Sequence, residues 1–331
     1  MQPRAELTLC LEIEREILSQ PAFAGGTLTF SRKVSARHSH LLEYEFGSSE
    51  VRKSIIIKRQ FAGPWAERAT LSEYSNLKRL KEILEPPLAQ TIPEPLLAIP
   101  KSGLLVTSKV DGDPLTNVLK KYANRLAGPF RTSRLRGPAQ RVGDWLRNFQ
   151  SATRAEPVAF SIEAFLADLE FRLAKLQQKG FTAAVTRDIL QSASQGSAGF
   201  DGKFVPAAAK HGDFIPQNIL VERAGVGVVD FEGFTEREPV YEDLGMFLGY
   251  LLVLGARVPY SPRALNAARD GFLAGYVGDY TIDQALLSAF TLKGAVRILS
   301  DGVSFSKHWS RVGNIWMLST RLKQLVGSSS V

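Results

Sequence analysis

Residues 210–221 read KHGDFIPQNILV, and DFE follows at 230–232. Apolar segments destined for a core do not ordinarily carry His, Asp and Asn between their hydrophobic residues, because a buried polar group without a partner is costly. Asp213 and Asn218 flank a tight loop, and Asn218 opens NILV, a short strand. VGVVDF reads as the returning strand across a turn at ERAG, so a hairpin brings Asp230 back near Asn218. The segments on either side read as helix. The fold must therefore set one polar-mouthed hairpin into a largely helical frame.

The N-terminal third has a different character. AELTLCLEIEREILSQ (5–20) has helical spacing and stops before Pro21. GGTLTFSRKVSA and HLLEYEF read as strands around a turn, and VRKSIIIKRQ (51–60) as a third strand with the β-branched run Ile55, Ile56, Ile57. AERATLSEYSNLKRLKEIL (66–84) is an amphipathic helix stopped by Pro86 and Pro87. EPLLAIPKSGLLVTSKV (94–110) supplies two more strands about Lys-Ser-Gly. After DGDPL (111–115) the pattern predicts helices over 115–125, 139–153, 162–178, 183–194, 240–255, 262–276, 282–299 and 308–325, with a loop over 191–203. The expectation is an α+β chain with a small β-rich N-lobe, 1–110, and a larger mainly helical C-lobe, 111–331.

Cys10 is the one cysteine, so no internal disulfide can form. Glu6, Glu12, Glu14 and Glu16 break up what would be the apolar core of a signal peptide. The apolar run MFLGYLLVLGA (246–256) is too short to span a bilayer. The chain reads as soluble and cytoplasmic. Its formal charge of +8 is uneven: residues 120–154 hold nine Lys/Arg against Asp144 alone, and residues 256–331 hold nine Lys/Arg against four Asp. Such a surface suits an anionic partner or plain solubility. Nucleic acid is disfavoured, since the basic segment lacks interleaved aromatics for base stacking.

Oxygen donors from Asn218 and Asp230 suit a hard cation such as Mg2+. Asp213 is then left to orient a hydroxyl and accept its proton. A base, metal-held phosphates and in-line geometry are the parts phosphoryl transfer needs.

The run HGDFIPQN, then VVDFE, then PVYEDL resembles the aminoglycoside phosphotransferase and choline kinase group of protein-kinase-like small-molecule kinases. The resemblance extends back through SIIIKRQ, LSEYSNLKRL and LLVTSKVDGDPL, and so over about residues 25–250. It implies a two-lobed protein-kinase-like fold, with ATP (or GTP) bound between the lobes. It makes Lys58 the phosphate-binding lysine and Glu73 its ion-pair partner, with Glu67 a poorer competitor. It makes Ser108, Lys109 and Val110 the hinge whose backbone meets the nucleobase. His211 would hold the loop in shape. Asp243 would either brace that loop or cap its own helix. The phosphate-covering turn would be VSARHSHLL (34–42), which lacks glycine but offers Ser35 and Ser39 as hydroxyl donors. Ile215 stands where many relatives carry His or Lys.

The expected activity is transfer of phosphate from ATP to a hydroxyl of a small molecule. The sparse acid content of 256–331 argues for a neutral or anionic acceptor, such as a sugar or sugar phosphate, over a polycation. A choline-type acceptor would need an aromatic cage, for which Tyr260, Trp309 and Trp316 are available. The alternative class is a catalytically silent nucleotide-binding or scaffold protein; retention of Lys58, Asp213, Asn218 and Asp230 argues against it.

Overall fold

The computed structural model describes residues 3–301 apart from 35–38, 48–51, 62, 126–128, 224, 258 and 278–280. The chain divides into two compact units. The first comprises residues 1–110 together with the tripeptide 230–232; the second comprises 111–229 and 233–331.

The first unit opens with helix α1 (Pro3–Leu18), followed by strands β1 (Thr27–Val34), β2 (Ser39–Gly47) and β3 (Arg52–Gln60). Helix α2 (Ala66–Ile83) precedes β4 (Pro95–Ile99) and β5 (Leu104–Ser108). The strands form one antiparallel sheet in the order β1-β2-β3-β5-β4. Register aligns Leu42 with Ile57, Tyr44 with Ile55, and Ile57 with Val106. Those side chains share one face of the sheet and pack with Cys10, Ile13 and Ile17 of α1 in a closed apolar core. Strand alternation then turns Lys58, next to Ile57, to the opposite face.

β2 begins at Ser39, and Ser39 pairs with Gln60. The turn between β1 and β2 is therefore shorter than the 34–42 expected from sequence, because the alternating pattern of β2 continues back to Ser39.

The second unit carries β6 (Asp113–Pro114), α3 (Leu115–Tyr122), α4 (Pro129–Ala152), β7 (Arg154–Ala159), α5 (Ile162–Gln178) and α6 (Ala183–Ser197). Then come β8 (Phe204–Lys210), β9 (Ile219–Val221), β10 (Val226–Val228), β11 (Thr235–Pro239), α7 (Tyr241–Gly255), α8 (Pro262–Tyr276) and α9 (Gln284–Asp301). Ser161, Thr182 and Ser261 cap α5, α6 and α8, each accepting a backbone N–H of the first turn. The hairpin read from the sequence is present: β9 and β10 pair as Val221 with Val226 and Ile219 with Val228.

Three expectations are corrected. Helix α4 starts ten residues earlier than residue 139 and runs through Pro138. A proline removes one helical hydrogen bond, but Leu135, Ala139, Val142, Leu146 and Phe149 are all buried at helical spacing and carry the helix across it. Helix α6 continues to Ser197, into the segment read as a loop; Ser192 and Ser197 turn their hydroxyls back onto the carbonyls of Asp188 and Ala193. β7, β8 and β11 form a three-stranded antiparallel sheet, order β11-β8-β7, where no strand had been expected. Their sequences, RAEPVA, FVPAAAK and TEREP, are poor in β-branched residues and each contains proline, so only tertiary pairing makes them strands. Among the described residues, no helix is long and apolar enough to cross a membrane. α7 instead packs on α9 at backbone contact: a Cβ on Gly249 would lie 2.4 Å from the backbone nitrogen of Ala295.

Candidate active site

β8 ends at Lys210 and β9 begins at Ile219, so the loop 211–218 is anchored by a strand at each end. Its first three residues are fixed by hydrogen bonds. Asp243, 1% exposed in the first turn of α7, accepts the backbone N–H of His211 at 2.7 Å and that of Gly212 at 3.1 Å. The N-cap position of α7 is Val240. Asp243 therefore braces the loop and does not cap its helix, which decides between the two roles left open by the sequence.

His211 is fully buried. Its Nδ1 accepts the N–H of Asp213 at 3.1 Å, so the ring proton belongs on Nε2, which lies 3.0 Å from the carbonyl of Val229. The ring thus ties the loop to the strand that leads to Asp230. Gly212 is obligatory: its φ is +86°, and a Cβ there would sit 2.2 Å from the carbonyl oxygen of Gly233.

Asp213 itself is partly exposed. Asn218 donates Nδ2 to the Asp213 carboxylate at 2.9 Å and to its carbonyl at 3.0 Å. These bonds close the loop and orient the carboxylate. They also settle the Asn218 amide: with Nδ2 committed to Asp213, Oδ1 is the atom that can serve as a ligand.

The first unit assembles a second group. Lys58 Nζ lies 2.7 Å from Glu73 Oε2 and 2.8 Å from Asp230 Oδ1. Glu73 is buried on α2, whereas Glu67 is exposed, which settles their competition. Burial alone would lower the lysine's pKa, but the attraction of Glu73 and then Asp230 outweighs it and holds the ammonium well above the ordinary range. Burial pushes the Glu73 carboxyl up, against the pull of Lys58. Asp230 has φ +71°, the one positive value outside glycine among the described residues. Residues held in such a conformation cluster at functional sites.

Two residues that the sequence reading missed hold the chain beyond Asp230. Asn76 Nδ2 donates to the carbonyl of Phe231 at 2.8 Å, and Ser72 Oγ to that of Glu232 at 3.2 Å. Asn76 lies three residues from Glu73, on the same helix face, which was the available signal.

The hinge residues are also placed. Ser108 N–H donates to Glu94 O, and Lys109 N–H to Ser54 O. The Lys109 ammonium lies 2.9 Å from Glu43. Glu43 is 5% exposed; burial raises its pKa, but hydrogen bonds from Lys109 and Arg32 prevail and leave it below the usual value. Ser39 is buried in β2. Ser35, with Arg37 and His38, lies outside the described residues, as do Trp309 and Trp316. Tyr260 forms an isolated bridge with Asn124.

No group of three or more His, Cys, Asp or Glu among the described residues could by itself hold a metal. The Asn218 amide oxygen and the Asp230 carboxylate are each hard oxygen donors of the kind Mg2+ takes together with waters and phosphate oxygens.

The architecture is an α+β, protein-kinase-like fold. A family model described as "Phosphotransferase enzyme family" (APH) matches residues 37–286, more than half of the chain. The chain belongs to this phosphotransferase family. Solved structures with the same fold include a thermostable mutant of aminoglycoside phosphotransferase APH(4)-Ia in its apo form. It has TM-score 0.59 and 13% identity, over 96% of this chain and 99% of that one. ADP-bound aminoglycoside phosphotransferase APH(2'')-Ib gives 0.54 and 13%, over 95% and 98%. Spectinomycin phosphotransferase APH(9)-Ia, in complex with ADP and spectinomycin, gives 0.53 and 13%, over 97% and 98%. At such identities the likeness concerns the fold. No curated protein matches this chain.

Proposed function

We propose that the protein transfers the terminal phosphoryl group of ATP to a hydroxyl of a small molecule. The observation that carries this reading is the loop 211–218, in which His211 holds the backbone of Asp213, Asn218 holds its carboxylate, and Asp243 holds the two residues before it. A carboxylate so held, yet partly exposed, is placed to accept a proton from an incoming alcohol and to hold that alcohol in line. Two of the solved structures named above contain ADP, and one of those contains spectinomycin besides; both are consistent with the reading.

In this assignment Lys58, steadied by Glu73, binds phosphate oxygens of the nucleotide. Of the three hinge residues, Ser108 and Lys109 already use their backbone N–H within the sheet, so the N–H of Val110 is the donor assigned to the nucleobase. Ser35 and Ser39 were named for the phosphate-covering turn. Ser39 is buried in β2, so no phosphate role is assigned to it. Asn218 Oδ1 and the Asp230 carboxylate are the assigned Mg2+ ligands; when bound, the ion neutralises the charge that builds on the transferred group. Asp213 takes the hydroxyl proton as the new O–P bond forms and the bond to the ADP oxygen breaks. The excess of Lys/Arg over acid in 256–331 favours a neutral or anionic acceptor over a polycation.

The test is a phosphoryl-transfer screen of purified protein against sugars, sugar phosphates, alcohols and aminoglycosides, with and without Mg2+. One phosphorylated product per ADP formed, dependent on Mg2+, is expected. Nucleotide binding without any transfer across the panel would point to the silent nucleotide-binding class instead.

A further inference from the structure

Helix α2 carries more of the site than Glu73. Ser72 and Asn76 stand one turn apart on it, and both reach the residues that follow Asp230. Asn76 Nδ2 donates to the carbonyl of Phe231 at 2.8 Å and, at a longer 3.3 Å, to that of Glu232; Ser72 Oγ donates to the Glu232 carbonyl at 3.2 Å. The Phe231 side chain is fully buried. The tripeptide 230–232 accordingly clusters with the first unit and not with the chain on either side of it.

That attachment offsets a specific cost. Asp230 sits at φ +71°, where an L side chain crowds its own backbone, and such a residue persists only where its surroundings over-determine it. Lys58 Nζ holds Asp230 Oδ1 at 2.8 Å, but this contact grips the side chain, and the role proposed for Lys58 also turns its ammonium to phosphate oxygens. The bonds from Asn76 and Ser72 grip the main chain instead. They make no use of the carboxylate and so persist while it takes a ligand.

We propose that Asn76, helped by Ser72, is a positioning residue for Asp230. By holding the Phe231 and Glu232 carbonyls it keeps Asp230 at φ +71°, the conformation in which the carboxylate serves the metal. The inference rests on the reading above, in which Asp230 takes Mg2+. Helix α2 then sets both halves of nucleotide binding: the phosphate-binding lysine through Glu73, and the metal ligand through Asn76. Chains in which Asp230 relaxes lose metal-dependent affinity in proportion to their population.

Titration calorimetry of the full chain with ATP, once in EDTA and once in saturating Mg2+, separates the gain in affinity due to the metal from the metal-free affinity that Lys58 supplies. Asn76→Leu keeps the approximate size and a good helix former but removes the donor. It should cut the metal gain about fivefold, the share of one neutral hydrogen bond, and leave the metal-free affinity at the wild-type value. Asn76→Ala, which adds no atoms, decides the matter in the same way if Asn76→Leu folds poorly. In an Asp230→Ala background the Asn76 substitution should have no further effect on the gain, because it acts through Asp230. A wild-type protein whose ATP affinity does not rise with Mg2+ would refute the metal assignment and this inference with it. A normal wild-type gain that the Asn76 variants retain, or a loss that is equal with and without Mg2+, would overturn this inference alone.

Discussion

Replacing Asp243 by Asn tests the brace of the loop 211–218 with a sign as well as a size. Two effects compete at this carboxylate. Burial disfavours the anion, and the backbone N–H groups of His211 and Gly212 favour it. Burial prevails, and the pKa rises from 3.8 to about 6. At about 1.4 kcal/mol per pH unit, the interval corresponds to about 3 kcal/mol. The folded state therefore holds its proton more tightly than the unfolded chain. The resulting stabilisation is fully present below 3.8 and disappears as pH rises through about 6. Asn does not titrate, so subtracting its unfolding free energy removes every other group from the comparison. Between about pH 4.5 and about pH 8, the advantage of wild type over Asp243→Asn should shrink by about 2 kcal/mol. Urea unfolding at both pH values, with unchanged m, measures it. An advantage that stays constant or grows with pH would show that the two N–H donors outweigh burial, and would refute this reasoning.

Asp230→Ala should spare the fold, because Lys58 keeps Glu73 at 2.7 Å. It should weaken Mg2+-dependent nucleotide binding by about tenfold or more, read by titration calorimetry; unchanged metal dependence would remove Asp230 from the metal site. Gly212→Ala forces a Cβ to 2.2 Å from Gly233 O at φ +86° and should cost about 3 kcal/mol in urea unfolding. A neutral result would mean that the loop can move away from Gly233.

Much of the frame was legible because its signals are local. The apolar spacing of 66–84 and 162–178 marks α2 and α5, the Ser-Pro start at 261–262 marks α8, and the β-branched run at 55–57 marks β3. The hairpin of β9 and β10 followed from alternation and turn residues. What was not legible depends on partners distant in sequence. β8 becomes a strand because β7 and β11 pair with it on either side, against its own proline and alanines. Asn76 and Ser72 bind carbonyls about 155 residues away, and a carbonyl leaves no mark in a sequence. Asp243 illustrates the middle case. Its residue type allowed cap or brace, and only the positions of the His211 and Gly212 N–H groups decide between them.

The assignment of chemistry to Asp213 and of nucleotide binding to Lys58, Asn218 and Asp230 is tested most directly by Asp213→Asn, with MgATP affinity and turnover measured on the same preparation. Asn keeps the size of the side chain and one oxygen to accept from Asn218, while His211 and Asp243 hold the loop through its backbone. It cannot take a proton from the acceptor hydroxyl. The expected result is MgATP affinity close to wild type and turnover lower by roughly 10²–10⁴. Loss of affinity and turnover together would place Asp213 among the metal ligands, and full turnover would remove it from the mechanism.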